Sequence, residues 1–226
     1  IGYYNYSNQN SSRPFSGNFD GDGYTISGLY TDYRTVTGAS HYGLFGYISG
    51  ATIKNVQVIN ANIVSTSSKY AGIIAGYSSG DSTIEACYAT GTINSPANMG
   101  GIVGFATSND TDIIRCYTNV TFLGNGIKGA ISGGNGTIRS CLADVSASSI
   151  RTTGTGGSFA SGYDSVRRVG NYLYPNNSTS TTQYTNLTSK TFRFAGKDDD
   201  RTSNPIWYSS SNSNSTLCLR GVGNVY

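Results

Sequence analysis

The sequence predicts an all-β protein, a single-stranded parallel β-helix in which short strands stack coil upon coil. Three observations predict this fold: a composition rich in glycine, a repeat of nearly constant length, and apolar residues at fixed places in that repeat. The chain has 226 residues, with 30 glycines against 4 prolines and only one His, one Met and one Trp. This composition argues against a helical enzyme and favours a protein of strands and turns.

The repeat sets the size of one coil. Each unit begins with a glycine, has an apolar residue two places later, then a turn, then Ile or Val. The leading glycines are Gly17, Gly43, Gly72, Gly101, Gly129 and Gly157, separated by 26, 29, 29, 28 and 28 residues. A unit this short cannot bury a core of its own, whereas stacked units bury a continuous one. We therefore predict a solenoid of about six coils.

Stacking predicts three inward ladders, in which equivalent residues lie about 4.8 Å apart. The first ladder is Phe19, Phe45, Ile74, Val103, Ile131 and Phe159. The second is Ile26, Ile53, Ile84, Ile113, Ile138 and Val166, and the third is Leu29, Val56, Cys87, Cys116, Cys141 and Val169. Residues three apart cannot both point inward from one flat strand, so a bend is expected between the second and third ladders. Glycines are expected at the corners.

Two stretches resemble a known repeat. The stretch GLFGYISGATIKNV at 43–56 is similar to a unit of the GLUG-repeat family, and FDGDGYTISGLY at 19–30 looks like the coil that precedes such units. The resemblance covers about residues 14–174 and implies a right-handed parallel β-helix in exported surface proteins with no known active site. Two units, GAISGG and GSFASG, depart from the family pattern because they lack its second aromatic residue.

These patterns divide the chain into four parts. Residues 1–16 form an N-terminal segment, 17–174 the repeats, 175–189 a linker rich in Ser, Thr and Asn, and 190–226 a closing segment. The closing segment resembles the tail that follows GLUG repeats, although it lacks the usual proline before its final Leu. Its apolar residues are expected to cap a coil end, which would otherwise expose a sheet edge. They are Phe192, Phe194, Ile206, Trp207, Leu217 and Leu219.

Three of the four cysteines share one repeat position. Because Val or Leu fills that position in other units, Cys87, Cys116 and Cys141 are expected to be buried thiols. Their spacing matches no compact zinc motif. A disulfide, with Cys218 as a candidate partner, stays open because exported proteins often contain one.

Few residues could support catalysis, and we expect no catalytic site and no cofactor. Hydrolases need paired carboxylates and many lyases need calcium, yet the chain has only 12 acidic residues. The weak calcium candidates are Asp20, Asp22, Asp198, Asp199 and Asp200. For these residues we favour a tight turn and a solvated loop. His41 is expected to be exposed at a turn.

Outward columns are the candidates for binding. Tyr30, Tyr88 and Tyr117 each follow the third ladder, and Arg139 and Arg167 share another outward position. Aromatic rings beside arginines could bind sugars or a protein. Stacking between coils, which only stabilises the sheet, is the alternative that we favour.

The chain also contains nine candidate N-glycosylation motifs, at Asn5, Asn10, Asn109, Asn119, Asn135, Asn176, Asn177, Asn186 and Asn214. We expect Asn109, Asn135 and the acceptors at 176–186 to be the accessible ones, in turns and in the linker.

The sequence therefore predicts a non-catalytic extracellular structural or adhesive module of a cell-surface protein, with head-to-tail assembly into a filament as a further hypothesis. Its expected partners are copies of itself, neighbouring domains of a longer chain, or surface glycans.

A net charge of +3 is too weak to indicate nucleic acid, and no apolar run approaches the roughly 18 residues of a membrane span. The residues at the start do not resemble a signal peptide, so we expect a mature chain or a piece of a longer one. The alternative is a carbohydrate-active β-helix, either a polysaccharide lyase or a glycoside hydrolase.

Overall fold

The computed structural model describes residues 1–144, except 3, 6–7, 33–40, 66–68 and 140, together with three later strands. In chain order the strands are β1 (Asn18–Asp20), β2 (Thr25–Ser27), β3 (Tyr30–Asp32), β4 (Phe45–Ser49), β5 (Thr52–Lys54), β6 (Gln57–Val64), β7 (Ala71–Gly72), β8 (Ala75–Ser79), β9 (Thr83–Glu85) and β10 (Tyr88–Asn94). They continue with β11 (Met99–Gly100), β12 (Val103–Ala106), β13 (Asp112–Ile114), β14 (Tyr117–Phe122), β15 (Lys128–Gly129), β16 (Thr137–Arg139), β17 (Leu142–Asp144), β18 (Tyr172–Tyr174), β19 (Trp207–Ser209) and β20 (Leu217–Leu219). Within the described ranges the only helical element is a 3₁₀ turn at Gln9–Ser11.

The strands stack into four parallel sheets. Sheet A has the order β1-β5-β9-β13-β16, and sheet B has the order β2-β6-β10-β14-β17-β18, with β3 also paired to β6. Sheet C is β4-β8-β12 and sheet D is β7-β11-β15. Neighbours in each sheet come from successive coils, so the chain winds as a parallel β-solenoid. The pair β19-β20 is antiparallel.

About three full turns are described, rather than the six that we predicted. The turns at 42–64, 71–94 and 99–122 contribute to all four sheets, and partial coils at 18–32 and 128–144 lie on either side. Of the predicted sixth coil, only the backbone of β18 is described, while Phe159, Val166 and Val169 lie outside the described residues. The right-handed winding and the C-terminal cap stay predictions.

The second and third ladders form the centre of the core. The backbones of Ile53, Ile84, Ile113 and Ile138 pair in register along sheet A. The register of sheet B aligns Val56, Cys87, Cys116 and Cys141, because each directly precedes a residue of the aligned row Gln57, Tyr88, Tyr117 and Leu142. All eight side chains are at most 5% exposed. These parts of the two ladders are confirmed.

A bend separates the two ladders, as their three-residue spacing requires. It is made by Asn55, Ala86 and Arg115, whose φ angles are 54°, 51° and 56°. Each residue directly precedes its member of the third ladder. The expectation of glycine at this corner was wrong, because residues other than glycine adopt the left-handed conformation here at a modest energetic cost.

Glycine in sheet C has another role, which is close packing of backbones. A Cβ atom added to Gly104 would lie 2.5 Å from the backbone nitrogen of Ala71 and 2.5 Å from the carbonyl oxygen of Gly76. No side chain fits at that distance. Gly76, whose added Cβ would lie 2.4 Å from the backbone nitrogen of Tyr42, and Gly104 therefore let sheets C and D meet at a narrow corner.

The first ladder was wrong by one residue in two coils. Phe45 pairs with Ala75 instead of Ile74, and Val103 pairs with Ser132 instead of Ile131. The unit GIIAGY has one more residue than GLFGY before its Gly-Tyr pair, and sheet C aligns Tyr47 with Tyr77.

The first unit was assigned to the wrong sheets. Phe19 pairs with Ile53 in sheet A, and Ile26 pairs with Val58 in sheet B. The predicted alignment had placed Phe19 beside Phe45 and Ile26 beside Ile53, so each strand of this unit lies one sheet further along the coil than predicted. Leu29 consequently lies outside the third ladder. The top of sheet C is supplied by the N-terminal segment, since Gly46 N donates to Ile1 O at 2.7 Å and Phe15 bridges to Ile48.

Candidate functional site

The most concentrated group of unusual side chains is an aromatic cluster on sheet C. Its members are Tyr4, His41, Tyr47, Tyr70, Tyr77 and Phe105. Three of them occupy one register position, because Tyr47 pairs with Tyr77 and Tyr77 with Phe105. Sequence reasoning missed this cluster, although the dipeptides Gly-Tyr, Gly-Tyr and Gly-Phe at 46–47, 76–77 and 104–105 carry the signal.

Four rings of this cluster, those of His41, Tyr70, Tyr77 and Phe105, are stacked face to face, whereas Tyr4 and Tyr47 make tilted or edge-on contacts. The centroid of His41 lies 4.5 Å from that of Tyr77, with 20° between the planes, and Tyr70 lies 4.4 Å from Phe105 at 14°. Tyr70 and His41 are also parallel, at 5.1 Å and 8°. Rings stacked along the solenoid axis cover one another's faces. The cluster therefore stabilises coil-to-coil packing and offers mainly ring edges to a ligand.

His41 is buried inside this cluster, which contradicts the expected exposed turn. Only 7% of its surface is exposed, and the ring of Tyr4 lies 5.1 Å away. Burial lowers the pKa of His41 to about 3, and the positive charge of Lys69 adds to the shift. The imidazole is consequently neutral at physiological pH.

The predicted binding tyrosines do not form one surface. Tyr88 and Tyr117 align and stack at 5.0 Å, which is the stacking between coils that we favoured, and they are only 5% and 4% exposed. Tyr30 is 60% exposed and lies in β3 beside Asn62. Arg139 lies in β16, and Arg167 lies outside the described residues.

The acidic pair of the first coil forms a turn. Asp20 Oδ1 accepts hydrogen bonds from the backbone N–H of Asp22 at 3.0 Å and from Asn55 Nδ2 at 2.9 Å. Its Oδ2 lies 3.1 Å from Lys54 Nζ. The bond from Asn55, followed by that from Asp22, holds the pKa of Asp20 below its usual value.

No group of three or more His, Cys, Asp or Glu side chains that could hold a metal occurs among the residues that the structure describes. The run Asp198, Asp199 and Asp200 lies outside them.

A second ion pair links two central coils. Glu85 on β9 binds Arg115, which follows β13, and their side chains are 27% and 9% exposed. Arg115 is the left-handed residue of its corner, so the bend aims its side chain back along sheet A. This charged pair joins adjacent coils.

The cysteine ladder consists of free thiols. Cys87, Cys116 and Cys141 are fully buried. Each thiol has a backbone carbonyl acceptor, for example Glu85 O at 3.3 Å from Cys87 Sγ and Ile113 O at 3.4 Å from Cys141 Sγ. Burial raises the pKa of Cys87 and of Cys116 well above the usual range. Such thiols are poor nucleophiles. Cys218 lies in β20 opposite Tyr208.

The glycosylation motifs differ in accessibility. Asn10 and Asn119 are exposed, whereas Asn5, Asn109 and Asn135 are partly buried. Asn135 Nδ2 donates a hydrogen bond to Thr107 O at 3.0 Å. The motifs at Asn176, Asn177, Asn186 and Asn214 lie outside the described residues.

In the described part of the chain there is no helix with the length and hydrophobicity needed to cross a bilayer.

Comparison with known proteins gives one partial similarity. Over 87 residues, which is 38% of the chain, the sequence is 38% identical to halomucin of Haloquadratum walsbyi. The matched stretch is 1% of the length of halomucin. No family model matches the chain, and no solved structure matches it.

Proposed function

We propose that this chain is a non-catalytic structural or adhesive β-solenoid of the GLUG-repeat type, displayed outside the cell as a module of a surface protein. The observation that carries the proposal is how the charged and aromatic side chains are used. In the described coils the ion pairs Asp20–Lys54 and Glu85–Arg115 and the ring of His41 all contact a neighbouring coil.

The groups best suited to acid–base chemistry illustrate this use. Asp20 binds Asn55 and Lys54 in the next coil. Glu85 binds Arg115, and His41 is packed between tyrosine rings with its pKa held near 3. A general acid or base must reach its substrate and titrate near the working pH. Groups bound in this way serve cohesion between coils.

The partial similarity to halomucin is consistent with the proposal that this chain is one module of a longer protein. A match of 87 residues within a protein about a hundred times longer is what a solenoid segment embedded in a long chain would produce. The surface composition, in which Ser, Thr, Asn and Tyr replace charged residues, supports an extracellular position. We infer the same setting for this chain.

Two measurements test the proposal: where the protein lies on the cell, and whether it degrades polysaccharides. An antibody against the chain should label intact cells of the source organism, without permeabilisation. The purified chain, incubated with a panel of neutral and acidic polysaccharides, should release no reducing ends and no unsaturated products, whether or not affinity electrophoresis detects binding. Staining only after permeabilisation would contradict the proposed location. Product release that scales with protein concentration and disappears in Glu85→Gln or Asp20→Asn would favour the carbohydrate-active alternative.

A further inference from the structure

The N-glycosylation motifs differ in the state of the two side chains that each of them needs. Five of the nine candidate acceptor asparagines lie among the described residues. The motif consists of the Asn amide and the hydroxyl of the Ser or Thr two places later. A transferase must reach both groups, and the attached glycan needs open space outside the fold. The exposure and the hydrogen bonds of these two groups therefore distinguish one motif from another.

Two motifs in the turns of the coils bury their hydroxyls. In the motif of Asn109, Thr111 is 0% exposed and its Oγ1 lies 2.8 Å from Ser78 Oγ. In the motif of Asn135, Thr137 is 9% exposed and donates to Asn109 O at 2.8 Å. Neither of these motifs, which the sequence favoured as accessible, presents its hydroxyl to a transferase.

The two motifs of the N-terminal segment use their polar groups within the fold. Asn5 Nδ2 donates to Ser11 Oγ at 2.7 Å. Asn10 is exposed, but the hydroxyl of its motif belongs to Ser12, whose Oγ accepts a hydrogen bond from Asn5 N at 2.9 Å. The amide of one motif and the hydroxyl of the other are therefore already bonded.

The motif of Asn119 has neither constraint. Asn119 and Thr121 lie on β14 with Val120 between them. Val120 is 3% exposed and packs in the core, so its two neighbours point to the other side of the sheet. Both neighbours are exposed, and in the described part of the chain neither side chain makes a hydrogen bond. The amide and the hydroxyl of this motif thus face outward together.

The surface around Asn119 has room and suitable chemistry for a sugar. The strands β6, β10 and β14 contain no charged residue. In register, Thr90 lies beside Asn119 and Thr92 lies beside Thr121. Small neutral side chains leave space next to the acceptor, and their hydroxyls form hydrogen bonds of the kind that sugar hydroxyls need.

We propose that Asn119 is N-glycosylated and that its glycan covers the outward face of sheet B. The donor is an oligosaccharide carried on a lipid through a phosphate group. Asn119 Nδ2 forms a bond to the anomeric carbon of the sugar and gives up a proton to a base of the transferase. The bond between that carbon and the phosphate oxygen breaks, and the lipid phosphate leaves with the electron pair. This inference rests on the proposed extracellular location and deepens it by naming a modification and its site.

Peptide mapping of the native protein tests the assignment. Trypsin cleaves after Lys and Arg, so it releases the peptides 70–115, 116–128 and 129–139, which contain Asn109, Asn119 and Asn135 respectively. In protein isolated from the surface of the source cells, mass spectrometry should find the peptide 116–128 with a glycan attached. The other two peptides should have their unmodified masses.

Variants expressed in the source cells separate the motif from its surroundings. Thr121→Ala should abolish the glycopeptide and Thr121→Ser should retain it, because Ser also supplies the hydroxyl of the motif. Thr92→Ala is the matched control, since Thr92 is the neighbour of Thr121 in register but belongs to no motif. Its glycopeptide should persist. Urea unfolding of Thr121→Ala checks that the loss of the glycan is not a loss of the fold.

Three outcomes would overturn the proposal and leave the proposed location intact. They are an unmodified peptide 116–128 in protein from the cell surface, a glycan on 70–115 or 129–139 in its place, and a glycopeptide that persists in Thr121→Ala. Protein that is detected only after permeabilisation would overturn the proposed function and the glycosylation with it, so the two failures can be distinguished.

Discussion

The central coils and the first coil use the same kinds of residues in different surroundings. In the central coils Ile53, Ile84 and Ile113 are 0% exposed, and a coil lies on each side of them. In the first coil Phe19 and Ile26 pair, among the described residues, with one neighbouring coil and are partly buried. Each unit of a solenoid contacts only its neighbours, so the contribution of a residue to stability depends on how many neighbouring coils it has.

The largest effect is expected from truncation of a core isoleucine. Ile84→Ala should reduce the free energy of unfolding by about 2–5 kcal/mol, because it leaves a cavity between two fixed coils. Ile26→Ala, in the first coil, should cost only about 1–2 kcal/mol, since its side chain buries less area. Urea unfolding of both variants measures the difference. Equal losses would mean that the first coil is as well covered as the centre.

Glycines give the next comparison. Gly104→Ala should cost at least about 1–3 kcal/mol, because its Cβ would press on the backbones of Ala71 and Gly76 and force them apart. In Gly17→Ala the new Cβ would meet only the ring of Phe15, at 3.3 Å. That change in the first coil should stay within about 1 kcal/mol of the wild type. A Gly104→Ala variant with unchanged urea midpoint would show that the narrow corner can relax.

The two ion pairs of sheet A provide a third comparison. Glu85→Gln should cost about 1–3 kcal/mol, because Arg115 is nearly buried and would lose its charged partner. Lys54→Met removes the ion pair between Lys54 and Asp20, whose side chains are 46% and 45% exposed. This change should lower the free energy of unfolding by under about 1 kcal/mol. Thermal unfolding at low and high salt would distinguish them, since the exposed pair should respond more to salt.

The smallest effect at neutral pH should come from His41 and should grow in acid. Its pKa is about 3 in the folded chain and about 6.5 when unfolded. The unfolded chain therefore binds an extra proton between these values, so stability is unaffected above about pH 6.5 and falls as the pH drops towards about 3. The unfolding constant should rise up to tenfold per pH unit in that window.

The matched control for that titration is His41→Phe, which keeps an aromatic ring and has no proton to bind. It should remove this pH dependence and leave only the contribution of the carboxylates. A wild-type chain and a His41→Phe variant with the same slope between pH 6.5 and 4 would contradict the burial of His41.

What could be predicted from the sequence was the part of the coil with constant length. The segments TIKNV, TIEAC, DIIRC and TIRSC place the second and third ladders three residues apart in every unit, so their register follows from the spacing. The stretch between the leading glycine and each segment varies by up to three residues between units. A repeat alone cannot locate such an insertion, and the first ladder was misaligned at Ile74 for that reason.

The candidate site was harder to predict because exposure is not a property of the repeat. Spacing aligned Tyr88 with Tyr117 correctly, yet both rings are buried. The burial of His41 depends on Tyr70 and Tyr77 from the next coil and on Tyr4 from the N-terminal segment. Those contacts follow from stacking of separate coils, which only the three-dimensional structure supplies.

The stacking of coils also determines how the molecule would respond to tension. One coil adds about 4.8 Å to the height of the solenoid. The same coil contains the 29 residues of 43–71, which span roughly 100 Å when fully extended. A pull along the axis would break the ladder bonds of the terminal coil first and release a length about twenty times the height lost. At a cell surface, such a solenoid would extend one coil at a time under tension.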